Sequence, residues 1–303
     1  MNKKFIFFFL VFFPAFISFA QGGNEAIESF GKAKKILRKI HLNNPITFYC
    51  RCKYQKNIPD WKSCGFSFRK DKKRASRIEW EHVLPASYFG VKFNTWKNGH
   101  HDCKNKIGKT FKGRKCTEKI HSTYRKMQAD LYNLQPVIGE VNGLRSNYQI
   151  GIINGENREF GNCDIEIKNK IVEPTDKIRG NIARTYMYME HAYPKYVIFT
   201  QNLKNLIKNW DEKDPVDKWE CSRAEKIKKI QGNVNQILYD RCQNQDKLND
   251  IGSNHVKIQN KTIFYKNNIK SDDTINKKNI IKKKPSISNK GSFKGKGSID
   301  AFK

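Results

Sequence analysis

Arg77-Ile78-Glu79-Trp80-Glu81-His82-Val83-Leu84-Pro85-Ala86 puts two carboxylates and an imidazole into one short run that is otherwise mostly apolar or aromatic. It reads as a strand, Ser76 to Leu84, ended by Pro85, which has no backbone N–H to continue a ladder. In a regular strand Glu79 and Glu81 share one face and His82 takes the other. Glu81 and His82 can therefore serve one site only if the strand bends or bulges there. A second word, Asp130-Leu131-Tyr132-Asn133-Leu134-Gln135-Pro136, follows further on.

Outward from this strand the pattern turns helical. Ala26 to His41 carries apolar or small residues at Ile27, Phe30, Ala33, Ile36, Leu37 and Ile40, a helical period with lysines opposite. Helices are also expected over Glu118 to Asn133, Thr175 to Tyr193 and Val216 to Leu238; in the second, Ile178, Ile182, Thr185, Tyr186 and Met189 mark a core face. Between strand and helices, Gly90 to Lys119 is polar, basic and rich in Gly and Asn. This predicts a long functional loop tied down by Cys103 and Cys116.

Charge limits the partner. The chain has 303 residues, is 12% aromatic and carries a formal net charge of +30. The length and aromatic content suffice for one large core or two small ones. The charge exceeds what solubility needs and points to a polyanion, either nucleic acid or an anionic membrane surface.

The chain start sets the compartment. A basic Met1 to Lys4, an apolar Phe5 to Phe19 and small residues at Ser18 and Ala20 read as a signal peptide, residues 1–20. Export, to periplasm or medium, makes the even set Cys50, Cys52, Cys64, Cys103, Cys116, Cys163, Cys221 and Cys242 a disulfide set. No Cys-x-x-Cys pair argues for a zinc knuckle. The remainder divides into a folded region, 21–248, and a tail, 249–303, dominated by Lys, Asn, Ser and Ile and read as disordered.

Together these residues suit phosphodiester hydrolysis, which needs an activated water, a cation to offset developing charge, and a positive group on the phosphate. A neutral His82 can take the proton, with a backbone carbonyl fixing its tautomer. Glu81 and Asn133 are hard oxygen donors suited to Mg²⁺. His100-His101-Asp102 reads as a solvated loop, because consecutive side chains rarely converge on one ion. Glu140 and Arg145 are expected to brace the site, and His121 and His191 to be ordinary packing or surface residues.

Three words, Glu79 to Ala86, Arg125-Lys126-Met127-Gln128-Ala129-Asp130-Leu131-Tyr132-Asn133-Leu134-Gln135-Pro136, and Gly139-Glu140-Val141-Asn142-Gly143, resemble the bacterial endonuclease I family of periplasmic and secreted nucleases in order and spacing. The likeness continues through Arg179 to Tyr186, Trp219-Glu220-Cys221 and Gln231-Gly232-Asn233. It covers roughly Ala26 to Cys242. It implies a disulfide-stabilised α+β single domain with a ββα-metal, or His-Me finger, site in a mixed α/β fold. It also implies cleavage of DNA, commonly RNA too, with little sequence preference. By the same likeness His82 is expected as general base and Glu81 and Asn133 as Mg²⁺ ligands, with Mn²⁺ or Ca²⁺ as substitutes. Arg114 of Gly113-Arg114-Lys115-Cys116 is expected as the phosphate-binding arginine. Two departures stand out: Tyr132 replaces the usual His, and the interval from His82 to Arg114 is longer than in the simplest members, leaving Lys109 and Lys112 as alternatives.

The expectation is a monomeric, exported, Mg²⁺-dependent nonspecific endonuclease acting on DNA and also on RNA, giving 5′-phosphate ends, without stable membrane association. A secreted nucleic-acid-binding protein with lost catalysis is the alternative. A cationic surface protein acting through its tail is a third reading.

Overall fold

The computed structural model describes residues 22–155 and 157–244. The expected signal segment and the basic tail lie outside these residues. Helix α1 (Phe30–Ile40) starts later than the apolar period suggests because Ser29 caps it, its side chain accepting the Lys32 N–H. A two-stranded hairpin, β1 (Tyr54–Gln55) and β2 (Ile58–Pro59), precedes a single helical turn, α2 (Lys72–Ala75).

Strand β3 (Ile78–His82) pairs antiparallel with β4 (Leu134–Ile138), with Trp80 opposite Pro136 and His82 opposite Leu134. Sequence reading missed β4, since Pro136 argues against a ladder. It is tolerated because the Pro136 carbonyl accepts the Phe48 N–H at 2.7 Å on the side away from β3, where its proton-less nitrogen also points. Between the two strands run α3 (Ala86–Gly90), α4 (Asn94–Asn98), α5 (Arg114–Ile120) and α6 (Ser122–Gln128). The single helix expected over Glu118 to Asn133 is thus broken at His121, whose extended backbone separates α5 from α6, and Asn133 sits in a 3₁₀ turn.

Helix α7 (Gly139–Arg145) follows β4 directly. Strands β5 (Gln149–Ile150), β6 (Ile165–Lys168) and β7 (Ile171–Pro174) form a second sheet ordered β5-β7-β6, with β5 parallel and β6 antiparallel to β7. The last helices are α8 (Arg179–Ala192), α9 (Gln201–Lys213) and α10 (Lys218–Gln231). Helix α10 stops at Gly232, whose φ of 85° is the left-handed end that glycine allows, and residues 236–244 are helical again. No helix among the described residues is long and apolar enough to cross a membrane.

All eight cysteines pair, as Cys50–Cys163, Cys52–Cys64, Cys103–Cys116 and Cys221–Cys242. Buried polar groups tie the helices to the β3–β4 unit. Asp130 accepts Tyr188 and Tyr193 hydroxyls at 2.7 Å each and the Gln231 amide at 3.0 Å. Arg223 donates to the Leu131 and Leu134 carbonyls.

His41 packs edge-on between Trp80 and Trp219 and accepts a hydrogen bond from Arg223. Burial, aided by the Arg223 charge, lowers its pKa to about 2. An unfolded histidine titrates at about 6.5. Between these values the unfolded chain holds the extra proton, so stability is lost as pH falls below the unfolded value, by up to ~1.4 kcal/mol per pH unit from this residue. Thermal melts between neutral pH and mild acid should show a shallower pH slope for His41→Gln than for wild type; parallel slopes would assign the acid sensitivity elsewhere.

Candidate active site

The register of β3 stays regular through His82 and then the chain bends at residues 83 and 84. No bulge is needed to bring Glu81 and His82 together: both line a cleft of about 770 Å³ that wraps the end of the strand. The bend is held from the β4 side. Asn133 is fully buried; its side-chain oxygen accepts the Leu84 N–H at 2.7 Å and its amide donates to the Leu84 carbonyl at 3.0 Å.

Asn133, expected as a metal ligand, has its side-chain oxygen engaged by the Leu84 N–H and does not line the cleft. Asn142 lines it instead, one turn into α7. The Asn142 amide donates to Glu79 at 2.7 Å, which fixes the amide and leaves its oxygen without a hydrogen-bond partner among the described residues. Glu79 is itself clamped by Arg74 at 2.9 and 2.6 Å and by Arg77. Burial alone would push its carboxyl up, but the bonds from Arg74, Asn142 and Arg77 outweigh it and hold the group ionised below the usual range. Gly143 admits this contact: a Cβ there would lie 2.0 Å from the Arg74 guanidinium.

Glu81 is buried, and burial raises its pKa to about 7 against the opposing pull of Arg145. One of its oxygens meets the Arg145 guanidinium at 3.0 Å and the Tyr49 hydroxyl at 3.4 Å. The other has no protein partner among the described residues. A buried carboxylate with an unused oxygen, beside an oriented amide oxygen, is a donor set that fits a hard divalent cation. Arg145 and Glu140, both expected to brace the site, are buried. Arg145 also donates to the His82 and Val83 carbonyls, and Glu140 accepts the N–H groups of Arg69, Lys70 and Asp71 ahead of α2.

His82 donates from Nε2 to the Gln128 carbonyl at 2.8 Å. A carbonyl only accepts, so Nε2 carries the proton and Nδ1 keeps its lone pair. Burial, then the charge of Arg114, lowers the His82 pKa to about 3, so the ring is neutral in the physiological range. Phe30 stacks on it at 4.9 Å between centroids, and Lys34 lies over Phe30 at 4.7 Å.

Arg114 opens α5 and lines the same cleft, as do Lys34 and Arg38 from α1. Lys109 and Lys112 do not. Tyr132 lies outside the cleft too, with its ring against Tyr188 and its hydroxyl donating to backbone carbonyls. His100, His101 and Asp102 converge after all. Their donor atoms lie within 4.8 Å of one another, with Asp102 3.4 Å from each imidazole, but they sit away from the cleft.

The cleft therefore presents an unprotonated imidazole nitrogen, two free oxygen donors and a rim of cations. Residues 23–240 match the family model described as Endonuclease I. The chain is 44% identical to "Endonuclease-1" of Buchnera aphidicola subsp. Acyrthosiphon pisum over 224 residues, 72% of this chain and 83% of that protein. It is 38% identical over 226 residues to both an "Extracellular deoxyribonuclease" and a "Periplasmic deoxyribonuclease" of Aeromonas hydrophila, covering 72% of this chain and 91% and 89% of theirs. Cleft, disulfides and extended sequence identity thus converge, and the chain belongs to the endonuclease I family of phosphodiester-cleaving enzymes.

Proposed function

We propose that the chain is an exported, divalent-metal-dependent, sequence-nonspecific endonuclease, with residues 21–248 as its catalytic domain and β3, β4 and α7 as a ββα-metal unit. The observation that carries this reading is the cleft itself, where His82, Glu81, Arg114 and Asn142 face one space. The names of the Aeromonas relatives support export and action on DNA.

Glu81 and Asn142 would hold the cation, with Mg²⁺ favoured by their oxygen donors. Bound there, it supplies charge compensation for the phosphate and the departing oxygen. His82 Nδ1 takes the proton of the attacking water. Its Nε2–H stays on the Gln128 carbonyl, so the positive charge that develops on the ring is stabilised where it forms. The Arg114 guanidinium grips non-bridging oxygens of the scissile phosphate. Attack at phosphorus breaks the bond to the 3′ oxygen, which takes a proton from solvent water, leaving 5′-phosphate and 3′-hydroxyl ends. The site reads phosphate rather than bases, so RNA is a substrate as well.

Purified, oxidised mature protein should cut supercoiled plasmid and single-stranded RNA in Mg²⁺ and neither in EDTA. Electrostatic capture by the cleft cations makes cleavage at subsaturating DNA fall steeply as salt rises, about tenfold or more from low to physiological ionic strength. EDTA-resistant cutting would remove the metal from the reading, and a flat salt response would remove the phosphate grip.

A further inference from the structure

The chain between Cys103 and Cys116 forms a finger whose tip displays one apolar side chain. Lys104 bridges Thr110 in antiparallel fashion, and Phe111 N–H donates to the Cys103 carbonyl at 2.8 Å. The turn is closed by Gly108 N–H on the Asn105 carbonyl at 3.0 Å. Asn105 also takes the N–H groups of Ile107 and Lys109 on its side chain, at 3.1 and 2.9 Å. Gly108 has a φ of 77°, the conformation that lets the chain reverse there. The Cys103–Cys116 bridge closes the base.

This well-fixed turn holds Ile107 84% exposed, the most exposed large apolar side chain among the described residues. Scattered surface isoleucines carry no message. This one is displayed on a hydrogen-bonded turn with Lys104, Lys106 and Lys109 around it, all exposed and none in a salt bridge among the described residues. The finger is rooted in the cleft wall: Gly113 N–H donates to the Trp96 carbonyl at 3.1 Å, and both Trp96 and Arg114 line the cleft. The chain from Ile107 to Arg114 spans at most about 25 Å when extended. That is less than one turn of duplex, roughly 34 Å, so tip and phosphate grip can address the same stretch of one duplex.

We propose that this finger is a wedge for duplex DNA: Ile107 enters the minor groove and parts a base step while the flanking lysines hold the bordering phosphates. Apolar side chains set among cations unstack and kink duplexes in this way. Its role is to open and bend a stiff substrate toward the cleft. The proposal rests on the nuclease reading above and gives that site a preference for duplexes that the cleft alone does not provide.

The test uses mature, oxidised protein in EDTA, with a duplex carrying 2-aminopurine, whose fluorescence rises on unstacking. Wild type should raise the signal. Ile107→Ser should abolish the rise and weaken duplex binding roughly tenfold, while its cutting of a single-stranded oligonucleotide in Mg²⁺ matches wild type. Lys106→Ala with Lys109→Ala should keep the rise but lower the slope of log K against log salt by about two. If wild type cuts plasmid yet gives no rise, or if Ile107→Ser binds duplex as wild type does, the wedge is refuted and the nuclease reading stands. A rise that needs Ile107 without cutting in Mg²⁺ would refute the nuclease reading and leave the wedge. Ile107-dependent binding to phosphatidylglycerol vesicles, with duplex binding unchanged, would overturn the wedge in favour of a membrane contact.

Discussion

His82→Ala is expected to lower plasmid cleavage in Mg²⁺ by about three orders of magnitude and to leave DNA affinity in EDTA unchanged. The ring touches no phosphate-binding cation directly, so its loss removes the proton acceptor and spares the electrostatic capture by Arg114, Lys34 and Arg38. The cavity left between Phe30 and the Gln128 carbonyl has the shape of the missing ring. Exogenous imidazole should therefore recover part of the rate in this variant and do nothing for wild type. Retention of wild-type turnover by a correctly folded His82→Ala protein would dismiss His82 as the base.

The second large effect separates the two asparagines. Asn133→Ala strips both partners from the buried Leu84 N–H and C=O, at a cost of ~2–4 kcal/mol, and should appear as a drop of several degrees in melting temperature. Asn142→Ala removes a side chain at the cleft wall whose amide is bound to Glu79. It should fold nearly as wild type and require at least about tenfold more Mg²⁺ for half-maximal cleavage. Titrating Mg²⁺ in both variants, beside thermal melts, decides the matter. A raised Mg²⁺ requirement confined to Asn133→Ala would restore the ligand assignment read from sequence.

Charge alternation and Pro85 made β3 legible, and the words around His82 and Arg114 identified side chains that do share a cleft. Asn133 stands next to a run that looks like part of a site, and its backbone does reach β3. Its side chain, however, is spent on the bend after His82, a tertiary contact that linear spacing does not reveal. The signal for Asn142 was present in Gly139-Glu140-Val141-Asn142-Gly143, where glycines allow a helix to approach another chain closely. That meaning emerges only once β4 is seen to pair with β3 and deliver α7 beside Glu79. The disulfide partners were likewise beyond reach, since pairing depends on loops brought together by the fold.

The bridge from Cys50 to Cys163 bears on how the chain withstands proteolysis. The exposed positions near 152, 154, 155, 157 and 158 are the sort of loop at which proteases nick. Cys52–Cys64 and Cys103–Cys116 lie wholly before that loop, and Cys221–Cys242 lies wholly after it. Only Cys50–Cys163 crosses it. A single cut there leaves two polypeptides still joined covalently until a reductant arrives, with His82, Arg114 and Asn142 on one fragment and α8 on the other.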